Sequence, residues 1–362
     1  MPLADLLREG ERVMIICNAC RYCEGHCAVF PAMERRTAFA QADLTYLANL
    51  CHGCGSCFHH CQYAPPHSFA VNVPKVFAEL RTETYKAFAW PRFLARLFDR
   101  NALAVALVAA ASLAISFAVA SSRPGFTARH TGTGAFYLVV SHAVMVGVFG
   151  AVALLVVGAL AVAFLRFWRG TSGGTARRTD VRRAMWDALR LRYLDGGGGG
   201  CTYPQEAPSH ARRWFHHLTF YGFLLCFAST TVAAIYDNLL GWQAPYAVTS
   251  LPVLLGSAGG VGLLVGPAGL FVLKLRSDPA PNPRGSTFAM DVAFLALLFL
   301  TSATGIALLV ARATAGMGIL LAIHLGFVLA LFLTIPYGKF VHAVYRYGAL
   351  VRHAMESRCE HR

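Results

Sequence analysis

The sequence predicts a mainly α-helical protein in which a cysteine-rich N-terminal domain precedes a six-helix transmembrane bundle. Two observations support this fold class. Eight of the 11 cysteines lie between residues 17 and 61, and 56% of all residues are hydrophobic while only 14% are charged. Such a composition is too apolar for an ordinary soluble protein. We therefore expect an N-terminal domain over 1–100, a membrane domain over 101–350 and a C-terminal tail over 351–362.

The cysteine-rich stretch contains the spacing C-x2-C-x2-C-x3-C twice. This spacing is typical of a two-cluster [4Fe-4S] ferredoxin-like domain, in which three thiolates of each run hold one cluster and the fourth reaches the other. Zinc usually has two ligand pairs and disulfides need an oxidising compartment, so both fit this pattern less well. We assign one cluster to Cys17, Cys20, Cys23 and Cys61, and the other to Cys51, Cys54, Cys57 and Cys27. The remaining cysteines are interpreted as structural or incidental: Cys201, Cys226 and Cys359.

The rest of the chain outside the membrane contains short helical segments and one long loop. We expect a polar lead at 1–16 and a short helix at 38–50. An amphipathic stretch at 76–98 combines Arg and Lys with aromatic residues, which suits either a membrane surface or a solvated helix that covers the clusters. The basic loop 166–213 contains a run of five glycines, which predicts a flexible joint, and a surface helix at 182–194.

Six apolar runs of at least 18 residues contain no Asp, Glu, Lys or Arg. Each is long enough to cross the hydrocarbon core of a bilayer as a helix. Because lipid offers no hydrogen-bond partner to a free backbone group, each run is predicted to be helical. The runs are 102–120, 136–164, 218–235, 251–273, 292–310 and 317–335.

The basic residues predict the orientation of the bundle. With six spans, both termini lie on the same side of the membrane, and this side holds all but three of the 32 Lys and Arg residues. The exceptions are Arg123, Arg129 and Arg312. The positive-inside rule therefore places both termini and the cysteine motifs in the cytoplasm. It also explains the net charge of +14 by contact with the lipid bilayer, without a nucleic-acid partner.

Histidines inside a membrane span are candidate functional residues. His324 lies in the sixth run, and His342 follows 18 residues later. If the helix continues through Pro336, this spacing is about five turns, so both rings lie on one face and roughly 27 Å apart. Such a pair suits two haem groups near opposite faces of the membrane. The alternative for each histidine is a hydrogen-bonded packing residue.

Each haem needs a second axial ligand. His217 at the start of the third run matches His342 in depth, and its neighbour His216, which points about 100° away, is the other candidate. His142, near the outer start of the second run, matches His324. An iron with two imidazole ligands has no open position for substrate, which predicts an electron carrier. One haem or two is left open.

Nearly the whole chain resembles the tricarballylate utilization protein B family, also known as citrate utilization protein B. The similarity lies in the run CNACRYCEGHCAVFP, then CHGCGSCFHHCQYAPPH, then six apolar runs with FHHLTFYGFLLCFAST. The segment IHLGFVLALFLTIPYGKFVHAVYRY also resembles the last span of the nitrate reductase gamma subunit, where both histidines bind haem b. That resemblance implies haem ligation by His324 and His342, and it matches His217 to the start of the other ligand-bearing helix. Phe227 stands in the region of that helix's second histidine.

The resemblance implies electron transfer at the bacterial inner membrane. In the family, a separate FAD-dependent tricarballylate dehydrogenase is the partner, and the B protein reoxidises its reduced FAD and passes electrons to the quinone pool. The present sequence shows no G-x-G-x-x-G run opening a βαβ unit and no nucleophile–base pair. We therefore expect an electron-transfer subunit of an oxidoreductase rather than a stand-alone catalyst.

Three other functions stay open at this point. One is a stand-alone iron–sulfur reductase of the heterodisulfide type, which would act on its own substrate. The second is an electron-transfer partner of a cobalamin-synthesis oxidoreductase. The third is a membrane transporter with a regulatory iron–sulfur domain.

Overall fold

The computed structural model describes residues 2–171 and 174–360. Within these ranges the chain is mainly α-helical, as predicted, and contains no β-strand, although an isolated antiparallel bridge joins Cys201 and Ser209. The short N-terminal helices pack against the C-terminal helix, and this assembly lies at one end of the long apolar helices.

The N-terminal domain is built from short helices. They are α1 (Leu3–Cys20), α2 (Val29–Glu34), α3 (Gln41–Leu50), α4 (Ser56–His59) and α5 (Val73–Phe88), followed by a 3₁₀ turn at Arg92–Phe98. The segment 1–16, expected to be a polar lead, instead forms most of α1 from Leu3 onward. Leu6, Val13 and Met14 are buried on one side of this helix, and their burial stabilises it.

The packing of α5 distinguishes between the two interpretations of the amphipathic stretch 76–98, a membrane surface or a helix that covers the clusters. The side chain of Asn72 caps α5 by accepting a hydrogen bond from the backbone N–H of Lys75 (3.1 Å). Phe77 and Leu80 are buried where α5 packs on α1 and α3. The first part of the stretch therefore covers the N-terminal domain, whereas Phe93 in the following turn is 72% exposed.

Six helices among the described residues are long and apolar enough to cross a membrane, which makes the chain a multi-pass membrane protein. In chain order, the helices after the N-terminal domain are α6 (Asn101–Ser121), α7 (Ala135–Val139), α8 (His142–Thr171), α9 (Arg178–Leu189), α10 (Ala211–Leu240), α11 (Leu251–Leu275), α12 (Ser286–Ala311) and α13 (Met317–Thr334). Of these, α7 and α9 are too short to span. The prediction of one helix over 136–164 is wrong at its start, because the extended backbone of Val140 separates α7 from α8.

The sixth span does not continue through Pro336, so the prediction of one long helix carrying both histidines is wrong. The helix α13 ends at Thr334 and is followed by a 3₁₀ turn at Ile335–Tyr337. Proline lacks the backbone N–H that a helix requires, and Gly338 is extended (φ −141°), so the chain changes direction here. His324 and His342 consequently lie on different helices.

A last helix, α14 (Val341–Glu360), joins the C-terminal region to the N-terminal domain. The segment expected to be a separate tail from residue 351 belongs, as far as Glu360, to this helix. Glu356 of α14 forms ion pairs with Arg36 (2.5 Å) and Arg352 (2.9 Å). Both guanidinium groups lie over the ring of Tyr46, which is fully buried. This network fixes α14 against α3.

Candidate redox centre

The first four cysteines of the predicted pairing surround one cavity. Cys17, Cys20, Cys23 and Cys61 line a space of about 250 Å³ between the end of α1 and the turn after α4, and Cys57 borders it. Burial and the charges of Cys23, Cys61 and Cys20 raise the pKa of Cys17 to about 12. The four sulfur atoms are thus close enough to interact strongly, although they come from two distant parts of the sequence.

The other four cysteines surround a second, much smaller pocket. Cys27, Cys51, Cys54 and Cys57 line it together with Gly53 and Gly55. Both glycines have a positive φ (62° and 85°), which lets the loop between Cys51 and Cys57 turn tightly enough to bring three thiols to one side. Burial and the neighbouring thiolates raise the pKa of Cys57 and of Cys27 well above the ordinary value.

The donor set of these pockets fits iron–sulfur clusters. Cys27 lies with the second run and Cys61 with the first, which is the exchange of the fourth cysteine that two-cluster domains show. All eleven cysteines are free thiols. In the part of the chain that the structure describes, no three His, Cys, Asp or Glu side chains converge at the spacing of a single metal ion. The thiols line the two pockets instead of converging on one metal ion. They must lose their protons to bind iron.

The sequence indicates only a structural or incidental role for Cys201, yet its thiol is a hydrogen-bond partner of the Cys54 sulfur. This bond is the main cause that lowers the pKa of Cys54 to about 6. Cys201 is buried with Tyr203 beside Cys54, on the loop that follows α9. A single cysteine far from both motifs gives no spacing signal, so sequence reasoning could not find it.

The glycine run packs tightly on the second pocket, which contradicts its interpretation as a flexible joint. A Cβ atom on Gly196 would lie 2.5 Å from the Ser56 hydroxyl oxygen, and one on Gly197 would lie 2.8 Å from the carbonyl oxygen of Gly25. Both glycines also have positive φ. The glycines are thus needed for close approach of the loop to the N-terminal domain.

His216 and His342 face each other at the end of the bundle that carries the cysteine domain. Their ring centres are 6.2 Å apart. The Nδ1–H of His342 donates to the carbonyl oxygen of Lys339 (2.6 Å), which orients the ring and leaves Nε2 for another partner. The Nδ1 of His216 is buried without a hydrogen-bond partner. Two opposed imidazoles at this ring separation are a donor pair that would suit a haem iron.

His217 does not face His342. Its ring lies 6.3 Å from Trp214 and 5.8 Å from Tyr221, on another side of α10. Of the two neighbouring histidines that the sequence left open, His216 is therefore the one that the structure places opposite His342.

The other predicted pair, His142 and His324, is not brought together. The Nε2 of His142 lies 2.5 Å from a carboxylate oxygen of Asp237, at the opposite end of α10 from His216. The Nδ1 of His324 lies 3.2 Å from the Thr304 hydroxyl on α12, and its ring packs against Gly305. Each histidine thus has a different partner, so no second opposed pair forms from these residues.

Arg346 connects the second pocket to the histidine pair. It lies one helical turn after His342 on α14, and its guanidinium donates to the carbonyl oxygen of Cys51 (2.7 Å). His52 is buried close to Arg346 and His216. The second pocket therefore lies on the side of the histidines, whereas the first pocket is bordered by the exposed Tyr22.

Six apolar spans and two four-thiol pockets define a multi-pass membrane protein with an iron–sulfur type of domain at one end. The chain belongs to the citrate utilization protein B family. The model of the Citrate utilization protein B Fer4-like domain matches residues 10–87, and that of Citrate utilization protein B matches residues 96–362. The protein named Citrate utilization protein B of Escherichia coli is 51% identical over 352 residues, which cover 97% of this chain and 92% of that protein. No solved structure matches the chain.

Proposed function

We propose that this chain carries electrons from a flavoprotein to the quinone pool of the bacterial inner membrane, with both termini in the cytoplasm. The partner is a tricarballylate dehydrogenase-type enzyme, whose reduced FAD the chain reoxidises. The carriers are two [4Fe-4S] clusters and one haem b, which supply one-electron acceptors when they are bound.

One observation supports this proposal most directly: Arg346, one helical turn after His342, donates a hydrogen bond to Cys51 in the second thiol pocket. Arg346 thus links this pocket to the His216–His342 pair. Electron carriers must lie close together to exchange electrons, and here two sites with suitable donors adjoin each other. The first pocket, with exposed Tyr22 at its border, suits the entry of electrons from a partner protein. The Fer4-like match and the citrate utilization name support an electron-transfer role and a tricarboxylate as the partner's substrate.

The residues have distinct roles in this proposal. Cys17, Cys20, Cys23 and Cys61 hold the cluster on the partner side, and Cys51, Cys54, Cys57 and Cys27 hold the cluster on the haem side. His216 and His342 would hold the haem iron through their imidazoles, and the Lys339 carbonyl fixes the tautomer of His342. We assign His142, His217 and His324 to packing and polar contacts, because each has another partner.

The neighbouring histidines give a matched test of the haem site. We expect His216→Ala and His342→Ala to abolish the low-spin haem absorbance of the purified protein, and His217→Ala to retain it.

Cys54→Ser should lose one of two cluster signals by electron paramagnetic resonance (EPR). Parent protein should reduce a quinone analogue only when its reduced flavoprotein partner is present. Iron and sulfide missing from anaerobically purified protein would refute the cluster assignment, and loss of haem in His217→Ala alone would refute the ligand pair.

A further inference from the structure

Three arginines from three different helices meet at the loop that lines the second pocket. Arg81 on α5 donates to the carbonyl oxygen of Cys51 (3.2 Å), and Arg346 on α14 donates to the same oxygen (2.7 Å). Arg212 on α10 donates to the carbonyl oxygen of Gly53. A Cβ atom on Gly53 would be 3.9 Å from the terminal nitrogens of both Arg81 and Arg212. The three positive charges are therefore close together.

This arginine cluster, formed by Arg81, Arg212 and Arg346, lies near the thiols of Cys51 and Cys54 but has no carboxylate partner. In the described part of the chain, none of the three forms an ion pair with an Asp or Glu. Burial and the charge of Arg81 lower the pKa of Arg346 to about 10. The Nε of Arg346 is buried without a hydrogen-bond partner, as is the Nδ1 of the nearby His216. Partly buried positive charges of this kind are costly unless an anion balances them.

The position of the cluster indicates which anion it binds. Arg212 lies one helical turn before His216 on α10, and Arg346 lies one turn after His342 on α14. The arginines thus flank both members of the histidine pair on the side of the cysteine domain. The hydrogen bonds to carbonyl oxygens use only some of the N–H groups of these arginines. A carboxylate is the group whose two oxygens fit a guanidinium best.

We propose that Arg212 and Arg346, with Arg81 behind them, form a carboxylate-binding site for the propionate groups of the haem that His216 and His342 hold. This inference rests on the proposed function, because it requires a haem at the histidine pair. It adds the orientation of the porphyrin, whose propionate edge faces the second thiol pocket. It also gives the arginine cluster the carboxylate partner that no Asp or Glu in the described part of the chain provides.

A haem whose propionates are esterified tests the site without changing the protein. Chains produced under haem limitation would be titrated in membranes with iron protoporphyrin IX and with its dimethyl ester, and the Soret absorbance would give each dissociation constant. We expect the ester to bind roughly tenfold or more weakly, since it cannot form charge-assisted hydrogen bonds. Equal affinities of the wild-type chain for the two porphyrins would overturn the site.

Variants separate propionate recognition from support of the loop. Arg212→Gln and Arg346→Gln should weaken binding of protoporphyrin but leave binding of the ester unchanged. Arg166→Gln is the control, because Arg166 also donates to a backbone carbonyl, that of Ala89 (2.9 Å), away from the arginine cluster. A loss of affinity that is equal for both porphyrins in the Arg212 and Arg346 variants would overturn the site. If the wild-type chain bound neither porphyrin, the haem of the proposed function would fail and this site with it.

Discussion

At the scale of single residues, Cys201 shows how a side chain outside both motifs can act on a cluster site. Its thiol forms a hydrogen bond with the sulfur of Cys54, and this hydrogen bond lowers the pKa of Cys54 to about 6. Hydrogen bonds to a cluster sulfur stabilise the more negative, reduced state and raise the reduction potential. Such an effect requires that Cys201 is a neighbour of the cluster rather than a ligand.

We predict that Cys201→Ala lowers the potential of the second cluster while both clusters stay bound. The loss of one hydrogen bond corresponds to a shift on the order of tens of millivolts. A redox titration followed by EPR measures it. Cys359→Ala is the control, because Cys359 is exposed near the end of α14. Loss of a cluster signal in Cys201→Ala would instead identify the residue as a ligand.

His353 is a second residue whose environment leads to a prediction, in this case of pH dependence. It is 6% exposed, it packs edge-on against Tyr193, and burial together with the charge of Arg35 lowers its pKa to about 4. Because its pKa in the unfolded chain is about 6.5, the unfolded state binds the proton more readily. His353 therefore stabilises the fold fully above pH 6.5, and this contribution is lost as the pH falls towards 4.

The expected size of this effect is at most roughly 3 kcal/mol, from the difference of the two pKa values. His353→Phe should flatten the fall in melting temperature between pH 7 and pH 5. His210→Phe, a change of an exposed histidine, should melt like the parent at each pH. Parallel curves for His353→Phe and the parent would show that this histidine does not titrate on unfolding.

At the scale of helices, the contact between α10 and α11 depends on glycines. A Cβ atom on Gly266 would lie 2.6 Å from the backbone nitrogen of Thr219 and 2.9 Å from the carbonyl oxygen of Phe215. Backbone atoms cannot move aside as a flexible side chain can. Since small residues let membrane helices approach closely, Gly266 determines how near α11 comes to the part of α10 that carries His216.

We predict that Gly266→Val separates the two helices and displaces His216 from His342. The variant should insert into the membrane but lose most of its low-spin haem absorbance, while its cluster signals remain. Gly158→Val is the matched control, because a Cβ at Gly158 in the middle of α8 would meet no atom within 4 Å outside the backbone of its own helix. Equal haem content in the two variants would contradict the role of this helix contact.

At the scale of the whole molecule, the sequence predicted the six spans and the two cysteine groups because both depend on strong local signals. Apolar length alone identifies a span, and the repeated cysteine spacing identifies the two thiol pockets. The errors concern long-range packing. The sequence showed Pro336 but not that Gly338 and the contacts of α14 with α3 would end the span there. Likewise, only the ring contact between His216 on α10 and His342 on α14 distinguishes His216 from His217.

The whole molecule also has an unequal distribution of charge, which predicts its orientation in the membrane. If the six spans cross the membrane in turn, all but three of its 32 Lys and Arg residues fall on the side expected to carry both termini, the cysteine domain and α9. Basic segments next to apolar spans are retained in the cytoplasm, so the turn between α6 and α7 should lie outside. Thr131, before α7, and Thr175, after α8, are both exposed and lie beyond opposite ends of α8 in the chain.

These two threonines form a matched pair for a labelling experiment in intact cells. We expect an impermeant maleimide to label Thr131→Cys without disruption of the membrane and to label Thr175→Cys only afterwards. The parent chain gives the background from its native cysteines. The two substitutions are chemically identical and differ only in the end of α8 near which they lie. Unequal labelling therefore reports the side of the membrane on which each residue lies. The reverse pattern would place the thiol pockets outside the cell, where a cytoplasmic flavoprotein could not deliver electrons to them.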